Sequence, residues 1–251
     1  MCSTLLLYTL GTSITDAQFL YIDLVALVPL SIVQAWTGSY EKLSNDVPTA
    51  TLFYFPVLAS VIVSSMIQAA FQAYFFYNVQ KQPFYEPIDP SEFVFGNAAP
   101  CFEGTVLFMI ANTQYLVTCL AFSVAKPFRK PFWTNSPFLI CVIVLVFVDT
   151  ALVFVPFDNA FGLWAGLLPF KTEAGESYYS YRYMIAGGIV INTFLTFIAE
   201  KLIVHVLTRS WDQKNRVRKL AAFSVTMEAY RAEIEKRDRF TESVNSAQQL
   251  G

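Results

Sequence analysis

Five stretches of this chain are apolar over the length of a membrane helix: residues 17–36, 51–78, 104–125, 137–156 and 184–207. A helix needs about 20 residues to cross a hydrocarbon layer roughly 30 Å thick, and each window reaches that length with few charges inside it. The pattern predicts an all-α polytopic membrane bundle. A sixth apolar piece, "STLLLYTLGTSI", holds only a dozen residues and runs into Thr15 and Asp16. It is too short to span, and it lacks the basic leader and small-residue cleavage site of a signal peptide. It reads as the second half of a helix whose first half lies upstream. The expected organisation is the end of a truncated helix and a lumenal turn over 1–16, a five-helix membrane domain over 17–207, and a charged cytosolic tail over 208–251.

Basic residues set the expected orientation, because lysine and arginine near the ends of spans are retained in the cytosol. The loop "KPFRKPFWTNS" holds Lys126, Arg129 and Lys130, and the tail opens with Arg209, Lys214, Arg216, Arg218 and Lys219. Both are expected in the cytosol. The alternate loops carry Glu86, Asp89, Glu92, Glu103, Asp158, Glu173 and Glu176 against Lys81, Lys171 and Arg182, and are expected on the lumenal or exterior side. Beyond the last span, "RSWDQKNRVRKLAAFSVTMEAYRAEIEKRDRF" alternates in sign like an exposed charged helix, and "ESVNSAQQLG" has the composition of a disordered end. The Arg216, Arg218 and Lys219 cluster suits either anionic headgroups or an ordinary positive flank.

Composition agrees with this class. The chain is 55% hydrophobic and only 14% charged, and its net charge of -2 gives no basic surface for nucleic acid. Four cysteines, Cys2, Cys101, Cys119 and Cys141, show no paired spacing, and the single histidine, His205, has no second imidazole to share a metal. Neither a disulfide framework nor a zinc site is expected. No phosphate-binding loop, nucleophile elbow, H-E-x-x-H or dinucleotide fingerprint is present, so no catalytic residue is assigned. "EAGES", residues 173–177, matches a P-type dephosphorylation loop only superficially, and it falls in a loop expected on the wrong side of the membrane.

The polar residues inside the windows carry what chemistry there is. Gln68, Gln72, Asn112 and Gln114 suit interhelical hydrogen bonds, Gly187 and Gly188 suit close helix approach, and Glu200, Lys201 and His205 suit snorkelling toward the interface. Two acids remain, Asp23 and Asp149. An ionised side chain at the bilayer centre costs about 2.5–3.5 kcal/mol on insertion scales, so each needs a reason. Asp23 has Phe19 four residues before it, on the same helical face, and Pro29 six residues after it, where a lost backbone bond invites a kink. Carboxylate beside aromatic suits an organic cation. A divalent ion would want more oxygens than this face supplies. Pairing with a lysine of another helix, or protonation, would also account for Asp23.

The segments "LLLYT", "DAQFLYIDLVALVPLSIVQAWTGSYEKLS" and "NTQYLVTCLAFSVAKPFRKPFWTNSPF", in that order, resemble the C-terminal membrane region of type-five P-type ATPases. Within them the chain resembles the B subgroup, the endolysosomal and vacuolar polyamine transporters; "QFLYIDL", "SYEKL" and the run from "QYL" to "KPFRKPFWTNSPF" carry the likeness. The resemblance makes the leading piece the end of the fifth transmembrane helix and the five spans the sixth to tenth. It implies a pump that hydrolyses ATP with Mg²⁺ on cytosolic domains, passes through an aspartyl phosphate and moves polyamines from lumen to cytosol. It gives Asp23 and Phe19 a place on the substrate path, and Tyr21 and Gln18 a lesser one on other faces. The phosphorylated D-K-T-G-T, the nucleotide-binding and actuator domains and the first four helices have no counterpart in these 251 residues, so the chain alone is expected to be inactive. Its expected partners are the lipid bilayer, the missing N-terminal part of the same pump and, through the parent, a polyamine, in a vacuolar, lysosomal or late-endosomal membrane. The alternative is a free-standing membrane scaffold. A secondary transporter fits less well, because the two halves show no internal repeat.

Overall fold

The computed structural model describes residues 2–41, 55–87, 99–123, 128–156, 160–171, 175, 177–203, 223–228 and 230–237. Residues Asp89, Glu92, Lys126, Asp158, Glu173, Glu176 and His205, the basic run at 209–219 and the C-terminal end lie outside them. The chain divides into two units, Met1–Lys201 and Leu202–Gly251. In the second, residues 223–228 and 230–237 are helical and exposed.

The first unit is helical, and among the described residues its only β pairing is two isolated bridges. Its elements are α1 (Cys2–Tyr8), α2 (Asp16–Leu20), a π-helical segment (Tyr21–Leu27), α3 (Val28–Ala35), α4 (Phe55–Val79), α5 (Phe102–Ala121), a 3₁₀ turn (Phe132–Thr134), α6 (Ser136–Phe154), α7 (Ala160–Ala165) and α8 (Tyr179–Ile203). Among the described residues five helices are long and apolar enough to cross a membrane: Asp16–Ala35, Val57–Val79, Phe102–Ala121, Ser136–Phe154 and Tyr179–Ile203.

Helix ends follow local chemistry. Asn135 caps α6 by accepting from the Phe138 amide at 3.2 Å, with Pro137 in the first turn, where a missing amide hydrogen costs nothing. Cys101 caps α5 through Sγ, which accepts from the Gly104 amide at 3.1 Å. α7 occupies part of a segment expected to be loop. It stops at Gly166, whose φ of 63° is the left-handed conformation that ends helices, and the Leu167 amide closes back on the Gly162 carbonyl at 2.9 Å.

Buried side chains form one large cluster, which includes Tyr21, Phe75, Phe108, Leu152, Phe170 and Ile185, and a second around Ala26, Leu30, Leu116, Phe138 and Leu145. Between α1, α4 and α5 runs a polar relay. Ser3 Oγ donates to Gln72 Oε1 at 3.0 Å, Gln72 Nε2 to Gln114 Oε1 at 2.6 Å, and Gln114 Nε2 to the Gln68 carbonyl at 3.1 Å; Gln68 Nε2 bonds Thr118. Interhelical hydrogen bonds of this kind contribute roughly 0.6–2 kcal/mol each, and the three glutamines serve as the glue their sequence positions suggest. Asn112 does not, because neither of its side-chain polar atoms has a hydrogen-bond partner among the described residues. Glu200 differs too: its carboxylate accepts from Ser60 of α4, so a neighbouring helix holds it. Gly188 admits a neighbour, as expected: a Cβ there would lie 2.3 Å from Cζ of the Phe75 ring.

One end of the bundle gathers the α4–α5 connection, α7 and the start of α8. Phe84 lies 5.1–5.6 Å, centroid to centroid, from Phe102, Phe170, Tyr178 and Tyr181. Glu103 and Arg182, which the charge pattern puts in loops, are instead fully buried within α5 and α8. Glu103 Oε1 accepts from Tyr85 Oη at 2.6 Å and Gln80 Nε2 at 3.2 Å, at a helix start where negative charge is favoured. Arg182 Nη1 donates to the carbonyls of Val153 and Val155 at 2.6 and 3.1 Å, at the end of α6 where positive charge is favoured, and its guanidinium lies 5.3 Å from the centre of the Phe170 ring. Burial pushes the Cys101 thiol up to about 12, with the nearby Glu103 adding to the rise and the Gly104 amide opposing it. Since only thiolate alkylates readily, Cys101 should react with maleimide far more slowly than an ordinary exposed thiol at neutral pH and gain rate well into the alkaline range. A mass-spectrometric time course over pH checks this.

The opposite end is tied by the family-like motifs. The Tyr40 amide donates to the Phe128 carbonyl at 3.1 Å and the Lys130 amide to the Gly38 carbonyl at 3.0 Å, which pairs the start of "SYEKL" with "FRK". Lys130 Nζ meets Glu41 at 2.9 Å and holds that carboxyl below its usual range. Asn135 Nδ2 adds a bond to the Val33 carbonyl at 2.7 Å.

Candidate functional site

The orientation of the first span is fixed at its start. Thr15 caps α2 by accepting from the Gln18 amide at 3.4 Å, while its hydroxyl donates to the Ala165 carbonyl at 2.9 Å. Gln18 Nε2 donates to the same carbonyl at 3.0 Å, so the buried end of α7 holds two side chains at the start of the first span. This turns Gln18 and Tyr21 inward, at 2% and 6% exposure, and the Tyr21 ring packs edge-on to Phe108 at 5.5 Å. Phe19 (43% exposed) and Asp23 point outward with Leu20 and Leu24. The helix therefore sorts the four residues into a packing pair and an open pair, with carboxylate and aromatic on the open side.

The kink expected at Pro29 takes a particular form. Over Tyr21–Leu27 the backbone is π-helical, and the Val28 amide bonds to the Asp23 carbonyl five residues back. Pro29 then falls in the first turn of α3, where its missing amide hydrogen is tolerated. The wide turn absorbs the proline without ending the helix, and π-helical turns of this sort frequently accompany functional sites. Asp23 lies inside it.

The sequence reading passes over Tyr115. It is half-buried on α5 and close enough to Asp23 to feel its charge, as it also feels Cys2 of α1. A second aromatic thus sits on a helix packed against the segment that carries Asp23. The signal was present, since Tyr115 is the central residue of "QYL", but only packing brings α5 against the π segment. Asp149, the other intramembrane acid, sits in a different setting. It is buried on α6 at 8% exposure and acts electrostatically on Tyr21, on the inward side of the same π segment. A cleft lined by Trp36, Gly38, Lys130 and Asn135 lies at the tied end of the bundle and includes neither acid.

Long apolar helices held by interhelical polar bonds define a polytopic membrane protein. No family model matches the chain. Human polyamine-transporting ATPase 13A2 is 31% identical over 203 residues, 80% of this chain and 16% of that protein. Vacuolar cation-transporting ATPase YPK9 of Saccharomyces cerevisiae is 31% identical over 169 residues, 67% of this chain and 11% of that protein, and human polyamine-transporting ATPase 13A3 is 30% identical over 163 residues, 57% and 13%. The chain belongs to the type-five P-type ATPases of the B subgroup, as a stretch of their membrane-helix region. It spans less than a fifth of the length of these relatives.

Proposed function

We propose that these helices form part of the membrane domain of an ATP-driven polyamine pump, and that Asp23 and Phe19 line its substrate path, with Tyr115 beside them. The observation that carries this reading is the open face of the π segment. An intramembrane carboxylate faces outward next to an aromatic, while the inward side of the same helix is packed and bonded. Left against lipid, that carboxylate would be costly; set against further helices of the parent, it becomes a counter-charge for an amine. In this reading ATP and Mg²⁺ act on cytosolic domains in the portion of the relatives that the chain does not match, and the chain contributes no nucleotide chemistry. The yeast relative's name places that protein in the vacuole, and the same membrane class, vacuolar, lysosomal or late-endosomal, is proposed here.

A photoreactive spermine, applied to vesicles holding the full-length parent, should label a peptide within 16–35 and be competed by plain spermine. Labelling confined to α4 or α8 would place the path elsewhere. The orientation proposed from the charge pattern, with the tied end and the C-terminus in the cytosol, has its own check. Trp133→Cys and Glu86→Cys replace exposed residues at opposite ends of the bundle. A membrane-impermeant maleimide confined to the cytosolic side should modify the first and spare the second. The reverse outcome inverts the topology.

A further inference from the structure

On the inward side of the π segment lies a polar layer that the polyamine path does not use. α5 and α6 pack antiparallel: Phe108 shares a cluster with Val153, and Leu116 shares the other with Leu145. Asn112 lies midway between Phe108 and Leu116 along α5, and Asp149 midway between Leu145 and Val153 along α6, so the antiparallel packing brings the two to about the same level. The π segment packs on α5 near the same level, with the Tyr21 ring against Phe108, one turn before Asn112. Each of these three elements brings a polar group to this level.

Two of the three are left without hydrogen-bond partners among the described residues. Asn112 is 2% exposed, and neither its Nδ2 nor its Oδ1 has a hydrogen bond; the Tyr21 hydroxyl is buried and unpartnered as well. Asp149 feels Tyr21 electrostatically and retains slight exposure. Burying an amide with both atoms unbonded is costly, and burying a carboxylate without a counter-charge more so. What would satisfy the amide oxygen, the hydroxyl oxygen and the carboxylate together is a positive charge of atomic size. One carboxylate matches a single charge; a divalent ion would want several, and no group of three or more candidate metal-binding side chains occurs among the described residues. An organic amine is too bulky for a layer in which the tyrosine hydroxyl and the amide are sealed.

We infer that Asp149 of α6, Asn112 of α5 and Tyr21 of the π segment form an intramembrane site for one alkali-metal cation, Na⁺ or K⁺, separate from the open face that carries Asp23. This does not depend on the polyamine reading. The full chain in lipid nanodiscs, titrated with NaCl or KCl against choline chloride at constant ionic strength and neutral pH, tests it by thermal unfolding and by equilibrium binding of radioactive Na⁺ or Rb⁺. Saturable binding of one ion per chain is expected, with a melting temperature that rises with Na⁺ or K⁺ but not choline. Asp149→Asn should lower affinity at least about tenfold, since the counter-charge is lost, and flatten the melting response. Asn112→Leu, which keeps the acid and tests the site if Asp149→Asn folds poorly, should weaken binding by a smaller factor, and Asp23→Asn should leave it unchanged. Absence of saturable binding, equal binding by Asp149→Asn, or loss through Asp23→Asn would overturn the inference. So would an infrared carbonyl band of a protonated acid at neutral pH that Asp149→Asn removes, since the layer would then hold a proton.

Discussion

Asp23→Asn, placed in a full-length pump that carries this region, is expected to abolish polyamine-stimulated ATP hydrolysis while phosphoenzyme still forms from ATP. Two unit charges about 4 Å apart attract by roughly 4 kcal/mol at an effective dielectric near 20. Once further helices cover the open face, removing the carboxylate leaves an amine in the path unpaired, and breaking such a buried pair costs about 3–5 kcal/mol. That corresponds to a loss of apparent affinity of about a hundredfold or more. Phe19→Ala and Tyr115→Leu should each cost less, about 0.5–2 kcal/mol, the range of a cation–π contact. Asp149→Asn should act on stability more than on stimulation, because it lies on the packed side of the π segment. A spermine titration of ATPase activity, normalised to phosphoenzyme, separates these variants. Full stimulation in Asp23→Asn would remove the open pair from the substrate path.

Gly188→Ala should destabilise the bundle by about 1–3 kcal/mol, the usual cost of overpacking a filled interior. The added methyl would sit 2.3 Å from Cζ and 2.4 Å from Cε2 of the Phe75 ring, which is itself 1% exposed and hemmed in by the large cluster. Because the ring has nowhere to retreat, the penalty falls on the α4–α8 seam. Phe75→Leu should recover part of the loss in the double variant and cost stability when made alone, a coupling that adjacent residues show and distant ones do not. Unfolding in detergent, followed by circular dichroism across the four proteins, measures it. Additive effects would mean the ring does not occupy the glycine's space. Gly187, with no atom within 4 Å of a built Cβ, should accept alanine without such a clash.

The spans were legible because their cause is local: a long apolar run suffices to predict a membrane helix. Their edges shifted where a specific bond decides. The window at 184 begins too late, since Tyr181 and Arg182 read as polar loop, yet Arg182 bonds the last carbonyls of α6 and carries the helix back to Tyr179. The third window also begins late, because Cys101 caps α5 and Glu103 is buried inside it. Asp23 and Phe19 could be paired from a spacing of four, but which acid faces outward could not. That distinction rests on Thr15 and Gln18 bonding Ala165, some 150 and 147 residues away. Tyr115 and Asn112 were hidden for the same reason, since each gains its meaning from a helix that the fold, and not the chain, sets beside it.

The π-helical segment also changes how this helix should be counted. Each turn bonded five residues back takes in one more residue than a regular turn, and a residue is worth about 100° of rotation. A helical wheel drawn at a constant angle through Asp16–Ala35 therefore falls out of phase within Tyr21–Leu27 and assigns α3 to the wrong side. A substitution scan along the span should show two separate periodicities, one anchored on Gln18 and Tyr21 and one on Ala26 and Leu30, with a slip between them. Any inserted or deleted residue in that interval would rotate everything beyond it by about 100°, and would turn Leu30 out of the core while leaving the composition of α3 intact.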